Sequence, residues 1–364
     1  EDGYHGEYVA ELAKRVIERV PDVLSQPDDE QLATFREVGY ELQLGEQRAE
    51  LAEFRTHFDV WFSERSLHEP LNGGDAVQHG FDRLREMGHL YEADGALWMR
   101  TTDFNDDKDR VLVKANGELT YFASDTAYYV SKRERGFDRC IYLLGADHHG
   151  YVRRLQAMAA CVGDDPEEQL EVLIGQLVKI LQNGAELKLS KRAGTIVSLR
   201  DLIDLIGVDP IRYTLNRYPV DSPLTLDVAE MTSKSNDNPV YYVQYAHARM
   251  SSILRNAAEL GADAGEFDAA QLGTEQEGDL LRALAAYPNI VARAAELREP
   301  HRVARYLEST AAAFHQFYDH CRVLPQGDED ISAVHRARLT LVAATRQVIA
   351  NGLGLLGVTA PERM

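Results

Sequence analysis

From Asn238 onward the apolar residues recur only at helical spacing. Asn238-Pro239 offers an N-cap residue followed by proline at the first helical position, and Val243, Met250, Ile253 and Ala257 then share one face. Val303, Leu307, Phe314 and Cys321 repeat the pattern. Leu339, Val342, Ile349, Leu353 and Leu356 repeat it again before Gly357 and Pro361 stop it. Stripes of this kind bury their apolar faces against one another, so 236–364 is predicted to be an all-α helix bundle.

The chain upstream has a different texture. Between Gly117 and Leu205, strand-like runs (Leu119 to Phe122, Cys140 to Leu144, Val172 to Leu181, Thr195 to Leu199) alternate with helical stretches. One helix is expected to be capped by Ser124 or Asp125 and to run through Lys132; others follow at Tyr151 to Val162 and Arg200 to Leu205. Such alternation implies a parallel α/β sheet, but with strands enough for only half of a doubly wound domain. The first hundred or so residues are charged and α-rich. Val9, Leu12, Val16 and Val20 mark one helix, Leu44, Leu51, Phe54 and Phe58 another over Leu42 to Phe58, and a third runs from Gly80 to Leu90. A strand pair is expected near Leu97 to Thr101 and Arg110 to Lys114. The expected fold class is thus α/β plus all-α, divided at 1–115, 116–235 and 236–364, with Gly261 to Gly273 as the nearest thing to a linker.

Charge and cysteine usage narrow the function. Against 39 Lys+Arg stand 59 Asp+Glu, a net −20 that argues against a DNA binder held by long-range charge but leaves room for a local basic groove. No apolar run approaches the roughly 18 to 20 residues of a membrane span, and the acidic Glu1-Asp2 is not the start of a signal peptide. Cys140, Cys161 and Cys321 lie far apart, without a CxxC pair, which suggests neither a disulfide framework nor a cysteine-rich zinc site. A cytoplasmic protein is expected.

Three segments carry chemistry. Lys188-Leu189-Ser190-Lys191-Arg192, bracketed by Gly184 and Gly194, suits a polyanion whose charge shifts during reaction, with a solvated basic loop as the bland alternative. Gly145-Ala146-Asp147-His148-His149-Gly150 follows an apolar strand, where open α/β sheets bind nucleotides or substrates. Adjacent residues seldom chelate one ion, so a metal site is the lesser reading of this turn and none is assigned; a turn with satisfied histidines also stays open. Tyr121-x-x-x-Asp125, at a strand-to-helix handover, offers an aromatic face and a carboxylate to a flat cation; alone it reads as readily as an N-cap beside a core tyrosine.

Taken together these residues resemble the arginyl-tRNA synthetase family of class I. Lys188-Leu189-Ser190-Lys191-Arg192 is similar to the KMSKS signature, with Leu189 for Met and Arg192 for the final Ser. More diagnostic are Asp221-Ser222-Pro223-Leu224 and Ser235-Asn236-Asp237-Asn238-Pro239-Val240-Tyr241-Tyr242-Val243-Gln244-Tyr245-Ala246-His247-Ala248-Arg249, which resemble the family's junction between catalytic region and anticodon-binding bundle. Tyr4-His5-Gly6-Glu7-Tyr8 and Glu362-Arg363-Met364 match as well. The resemblance implies the second half of a Rossmann-like nucleotide fold with a helical insertion. It implies Glu64, Tyr121 and Asp125 around the arginine side chain, His148 in contact with the amino acid, Lys188, Ser190, Lys191, Gly145 and Asp147 around ATP, and Lys188 and Lys191 as catalytic, Lys191 stabilising the adenylation transition state. Two acceptors in fixed directions suit a guanidinium fork and would reject lysine.

The same resemblance implies a two-step reaction with Mg2+-bound ATP as substrate and no tightly bound cofactor. L-Arginine is first adenylated and then passed to the 3′-terminal adenosine of tRNA(Arg). Tyr241, Tyr245 and Arg249, at i, i+4 and i+8, with Met364, are the expected tRNA contacts, although Tyr241 and Tyr245 could equally pack on a neighbouring helix. The family is usually monomeric, and a monomer is expected. One departure stands out: no HxGH string occurs, the nearest being Met87-Gly88-His89 in another context. The chain is therefore expected to begin after the first half of the nucleotide fold and to form little arginyl-adenylate alone. An RNA-binding module without catalysis and a class I synthetase for another amino acid, such as cysteine, are the alternatives.

Overall fold

The computed structural model describes residues 6–70, 74–186, 198–262 and 267–364, and its backbone divides into two units. One gathers Glu1–His57, Val178–Pro219 and Leu224–Met364, and the other is Phe58–Leu177 with Val220–Pro223. The second is thus spliced into the first along the chain.

The first unit opens with helices α1 (Glu7–Arg19) and α2 (Asp28–Glu53). The expected end at Phe58 is corrected: α2 stops at Glu53 because Arg55 turns left-handed at φ 56°. In the second unit, α3 spans Ala76–Glu86 with the Asp75 carboxylate accepting from the Gln78 N–H. Here the expected Gly80 to Leu90 helix shifts towards its cap, and Leu90 instead starts a strand. Strands β1 (Leu90–Ala93), β2 (Ala96–Met99) and β3 (Arg110–Val113) form an antiparallel sheet whose register slips between Leu97 and Trp98.

Helix α4 (Tyr121–Glu134) begins where a strand was expected. Only an isolated Val113–Leu119 bridge survives of that strand, and Thr120 spends its Oγ1–H on the Val111 carbonyl at 2.8 Å. Ser124 and Asp125 therefore lie inside the helix and cap nothing, since the helix starts five residues earlier than a cap at Asp125 requires. Strand β4 (Cys140–Gly145) leads through a 3-10 turn, Ala146–Tyr151, into α5 (Val152–Cys161), then α6 (Pro166–Gln169) and β5 (Leu170–Gly175), which pairs parallel to β4. The core beneath is Leu84, Met99, Leu112, Tyr129, Leu155 and Met158 with their neighbours.

Back in the first unit, β6 (Val178–Gln182) belongs to another sheet. The single Val172 to Leu181 strand of the sequence reading is broken at Gln176-Leu177, where the Gln176 N–H donates to the Val220 carbonyl at 2.9 Å. Strand β7 (Ala185–Glu186) follows, then α7 (Leu199–Ile206), opened by a reciprocal Ser198–Asp201 capping box that makes Leu199 helical rather than β. Next come α8 (Val208–Asn216), β8 (Leu224–Asp227) and α9 (Val228–Thr232); β6 pairs with β7 antiparallel and with β8 parallel.

The bundle consists of α10 (Pro239–Glu259), α11 (Glu275–Leu297), α12 (His301–His320) and α13 (Ala333–Leu355). The three predicted stripes supply its core: Val243, Met250, Leu307, Phe314, Ile349 and Leu353 are fully or almost fully buried. Asn238 occupies the N-cap position of α10 without capping; its Nδ2 donates instead to the Met231 and Ser233 carbonyls, at 3.1 and 2.7 Å. No helix among the described residues is long and apolar enough to cross a membrane.

Candidate functional site

The end of β4 sets up the first cluster. Gly145 is the last strand residue, and a Cβ there would come within 2.6 Å of Asp147 Oδ1, so a side chain at this position would make the Asp147 carboxylate swing away. Asp147 and His148 are exposed and face one another at 3.5 Å (Oδ2 to Nε2). Among the described residues no group of three or more His, Cys, Asp or Glu is placed to hold a metal ion.

The turn is tied to α4 by its last residue. Tyr151 donates its hydroxyl to Asp125 Oδ2 at 2.6 Å, and burial together with that hydrogen bond raises the phenol's pKa. Tyr121 and Asp125 lie four residues apart on one face of α4, not on either side of a strand end. Tyr121 is 87% exposed, an open ring at the first helical residue beside a half-buried carboxylate.

A ladder of rings holds the next element. Phe62 stacks on Tyr128 of α4 at 4.2 Å, and this contact sets the 3-10 turn Glu64–Leu67, with exposed Glu64 at its head, against the helix. Lys132 then lies with its ammonium 3.8 Å from the Tyr128 ring and 4.0 Å from that of Tyr142. Burial of the ammonium lowers the Lys132 pKa to about 8. Glu64, Tyr121, Asp125 and His148 thus belong to three elements of one unit, while Lys188, Ser190 and Lys191 lie outside the described residues. Sequence reasoning missed Tyr151, Tyr128, Lys132 and Tyr142. The i, i+4 spacing of Tyr128 and Lys132 on a helix was the available signal.

A second cluster lies in the bundle. Tyr241 and Tyr245 stack nearly parallel at 6.3 Å, and Tyr245 also meets His315 of α12 at 6.1 Å. Arg249 places its guanidinium 4.3 Å over the Tyr318 ring. The three residues therefore form one face, but its far end packs on α12, as the alternative reading allowed. Tyr241 instead lines a cavity of about 360 Å³ with Met231, Lys234, Gln244 and Met364.

The tail bearing Met364 is pinned on the way. Asp209, at the start of α8, accepts from Arg55, from Gln244 Nε2 at 2.8 Å, and from both the N–H and the hydroxyl of Thr359. His247 Nδ1 meets the Pro361 carbonyl at 2.8 Å, and Arg55 also donates to the Gly357 carbonyl at 2.8 Å. Gly357 has φ +68° and lies against Arg212, so neither its backbone nor its surroundings admit a side chain.

Comparison with known proteins decides the family. The model described as "tRNA synthetases class I (R), catalytic domain" matches residues 9–209, more than half of the chain. The chain belongs to this family. A second model, the DALR anticodon binding domain, matches residues 243–364, which is the helical bundle. The architecture is accordingly a class I synthetase catalytic region followed by a helical anticodon-binding domain. Arginine–tRNA ligases of Paenarthrobacter aurescens (strain TC1) and Frankia alni are each 57% identical to this synthetase-family chain over its whole length. The chain spans 65% of the length of these relatives. A crystal structure of a Campylobacter jejuni protein assigned as an arginyl-tRNA synthetase superposes with a TM-score of 0.87 at 29% identity, covering 100% of this chain and 77% of that one. The Thermus thermophilus arginyl-tRNA synthetase, at 23% identity and a TM-score of 0.69 over 94% of this chain and 68% of its own, shares the fold.

Proposed function

We propose that this chain forms part of an enzyme that joins L-arginine to tRNA(Arg) at the expense of ATP in the cytoplasm, acting as a monomer. The observation that carries the reading is 57% identity to arginine–tRNA ligases along the entire chain. On this reading 1–115 is the helical insertion, 116–235 the nucleotide-fold half and 236–364 the anticodon-binding part.

In the first step the arginine carboxylate attacks the α-phosphorus of Mg-ATP, the bond to the β-phosphate oxygen breaks, and pyrophosphate leaves. In the second the 3′-terminal ribose hydroxyl attacks the arginyl carbonyl and AMP leaves. No side chain is acylated, so the protein acts by positioning and by stabilising charge. Asp125 and Glu64 would accept from the guanidinium, Tyr121 would lie against its face, and His148 would contact the amino acid. Asp125 is suited to this because Tyr151 fixes its orientation by one oxygen, and Oδ1 has no donor among the described residues. Gly145 and Asp147 would border the nucleotide, with Lys188, Ser190 and Lys191 on its phosphates. Magnesium enters with ATP as part of the substrate. Tyr241, Tyr245, Arg249 and Met364 would meet the tRNA.

The chain holds no HxGH string, so the expectation that these 364 residues alone form little arginyl-adenylate belongs to the same proposal. Calorimetric titration with L-arginine, with L-lysine as control, tests the pocket. Binding of arginine alone, lost in Asp125→Ala, is the expected result. No binding by the folded chain, even after an HxGH-bearing segment is restored, would overturn it.

A further inference from the structure

The chain carries a net charge of −20, yet some cations among the described residues have no carboxylate partner. Three of them border one cleft of about 360 Å³ in the second unit: Lys108 on the loop before β3, and Arg153 and Arg154 in the first turn of α5. None forms an ion pair among the described residues. The cleft's two carboxylates are already engaged, because Asp106 accepts from Arg110 through two hydrogen bonds of 2.7 Å and Asp107 meets the same guanidinium. Arg154 Nε is buried and has no acceptor among the described residues, an N–H that folding has stripped of water without replacing it. Gly150 completes the wall with open space where a side chain would be.

We infer that this cleft is an anion site that takes a backbone phosphate of the RNA strand ending at the arginine pocket. The assignment rests on the proposed synthetase function, and the connection is direct. The Arg154 guanidinium lies 4.5 Å from the centre of the Tyr151 ring, and the Tyr151 hydroxyl holds Asp125. A phosphate on Arg154 is thus one side chain away from the carboxylate that would hold arginine. Of all the RNA, only the strand that accepts the amino acid comes that close. Lys108, Arg153 and Arg154 supply the charge, and Arg154 Nε gains the acceptor it lacks.

The test uses the full chain, a fluorescent single-stranded RNA carrying the 3′-end sequence of the tRNA, and inorganic pyrophosphate. Affinity is followed by anisotropy across a salt series. For Lys108→Gln/Arg153→Gln/Arg154→Gln the RNA affinity is expected to fall about 100-fold, with the salt slope flattening by about two, since each single-strand phosphate contact contributes roughly 0.7. Lys108→Gln/Arg153→Gln, two exposed positions that keep the Arg154 packing, guards against misfolding and is expected to lose about tenfold. Gly150→Leu fills the cleft without changing charge and is expected to weaken RNA as well. RNA affinity within twofold of wild type in the folded variants overturns the inference, as does pyrophosphate binding that the variants abolish while RNA binding persists. Arginine titration of the same variants separates the two readings. A wild type that binds no arginine even with an HxGH-bearing segment supplied undermines the function itself, whereas intact arginine binding with unchanged RNA affinity removes only the cleft.

Discussion

Replacing Glu277 by alanine takes away a helix cap and one half of a buried ion pair together. Glu277 is 0% exposed; its Oε2 accepts from the Thr274 N–H at 2.8 Å and its Oε1 from Arg338 Nε at 2.6 Å. Loss of a cap costs about 1 kcal/mol, and removing one partner of a buried pair costs roughly 3 to 5 kcal/mol. Arg338 keeps the Arg322 carbonyl at 2.8 Å, and its side chain is 16% exposed, so the pair term lies at the low end. The expected loss is about 3 to 4 kcal/mol, which at a slope of roughly 3 kcal/mol/M lowers the urea midpoint by about 1 M. The assay separates the units, because the chain's tryptophans, Trp61 and Trp98, lie in the unit that lacks the bundle. Circular dichroism at 222 nm should move while tryptophan fluorescence holds still. A dichroism midpoint shifted by less than about 0.3 M, or an equal shift in fluorescence, refutes the reasoning. A double Glu277→Met/Arg338→Met variant should recover most of the loss, since no charge is then left unpaired. The pH dependence has a definite sign. Burial raises the Glu277 pKa, but the hydrogen bonds from Thr274 and Arg338 outweigh it and leave the group below its usual value. Its contribution is full above the unfolded carboxyl pKa and disappears as pH falls through the lower folded one.

Gly352→Ala puts a Cβ within 2.6 Å of Leu307 Cδ2, and the Leu307 side chain is fully buried. Overpacking of roughly 1 to 3 kcal/mol should exceed the gain of about 1 kcal/mol in helix propensity, so the melting temperature falls and Leu307→Val in the same chain restores part of it; an unchanged or higher melting temperature refutes the clash. Lys132 is lowered to about 8 by burial, so from there towards the unfolded lysine value the native state has released a proton that the unfolded chain retains. The fluorescence-detected unit should therefore gain stability from about pH 8 to 9.5, and Lys132→Met should flatten that rise; an identical slope in the variant contradicts the assignment. Tyr151→Phe frees Asp125 from its only hydrogen-bond donor among the described residues, at a cost of about 1 kcal/mol. L-Arginine should bind about fivefold more weakly by calorimetry, and an equal dissociation constant would show that the hydroxyl does not position the carboxylate.

The bundle was legible because its signal is local: Val243, Met250, Leu307, Phe314, Ile349 and Leu353 bury the faces their spacing announces. Helix α11 escaped notice although Leu280, Leu284, Tyr287 and Val291 recur at helical spacing, because Pro288 within its span reads as a break. Starts of helices were misjudged where a side chain chose a distant partner. Thr120, bonded across to β3, starts α4 at Tyr121, and the nearer Asp125 goes to Tyr151 instead of to a cap. The run from Val172 to Leu181 looked like one strand because hydropathy does not record which sheet a residue joins. At the candidate site the carboxylates and the glycine turn could be found by motif. Tyr151 and the closing of Tyr142 onto the Tyr128–Lys132 pair could not, since they depend on β4 and the turn after it meeting α4 in space.

The Arg55–Gly357 hydrogen bond spans 302 positions of sequence. On a ribosome the spliced-in unit, almost wholly Phe58–Leu177, is complete long before that bond can form, whereas the unit around it waits for Gln244 and Thr359 to reach Asp209. Synthesis therefore imposes a sequence of events on the fold: the inserted unit closes first on short loops, and α2, α8 and the pinned tail lock last, across a loop whose closure entropy nothing local offsets. A translational pause between Leu177 and Asp209 would leave α1 and α2 translated but without the Asp209 clasp, and protease should cut α1 and α2 first.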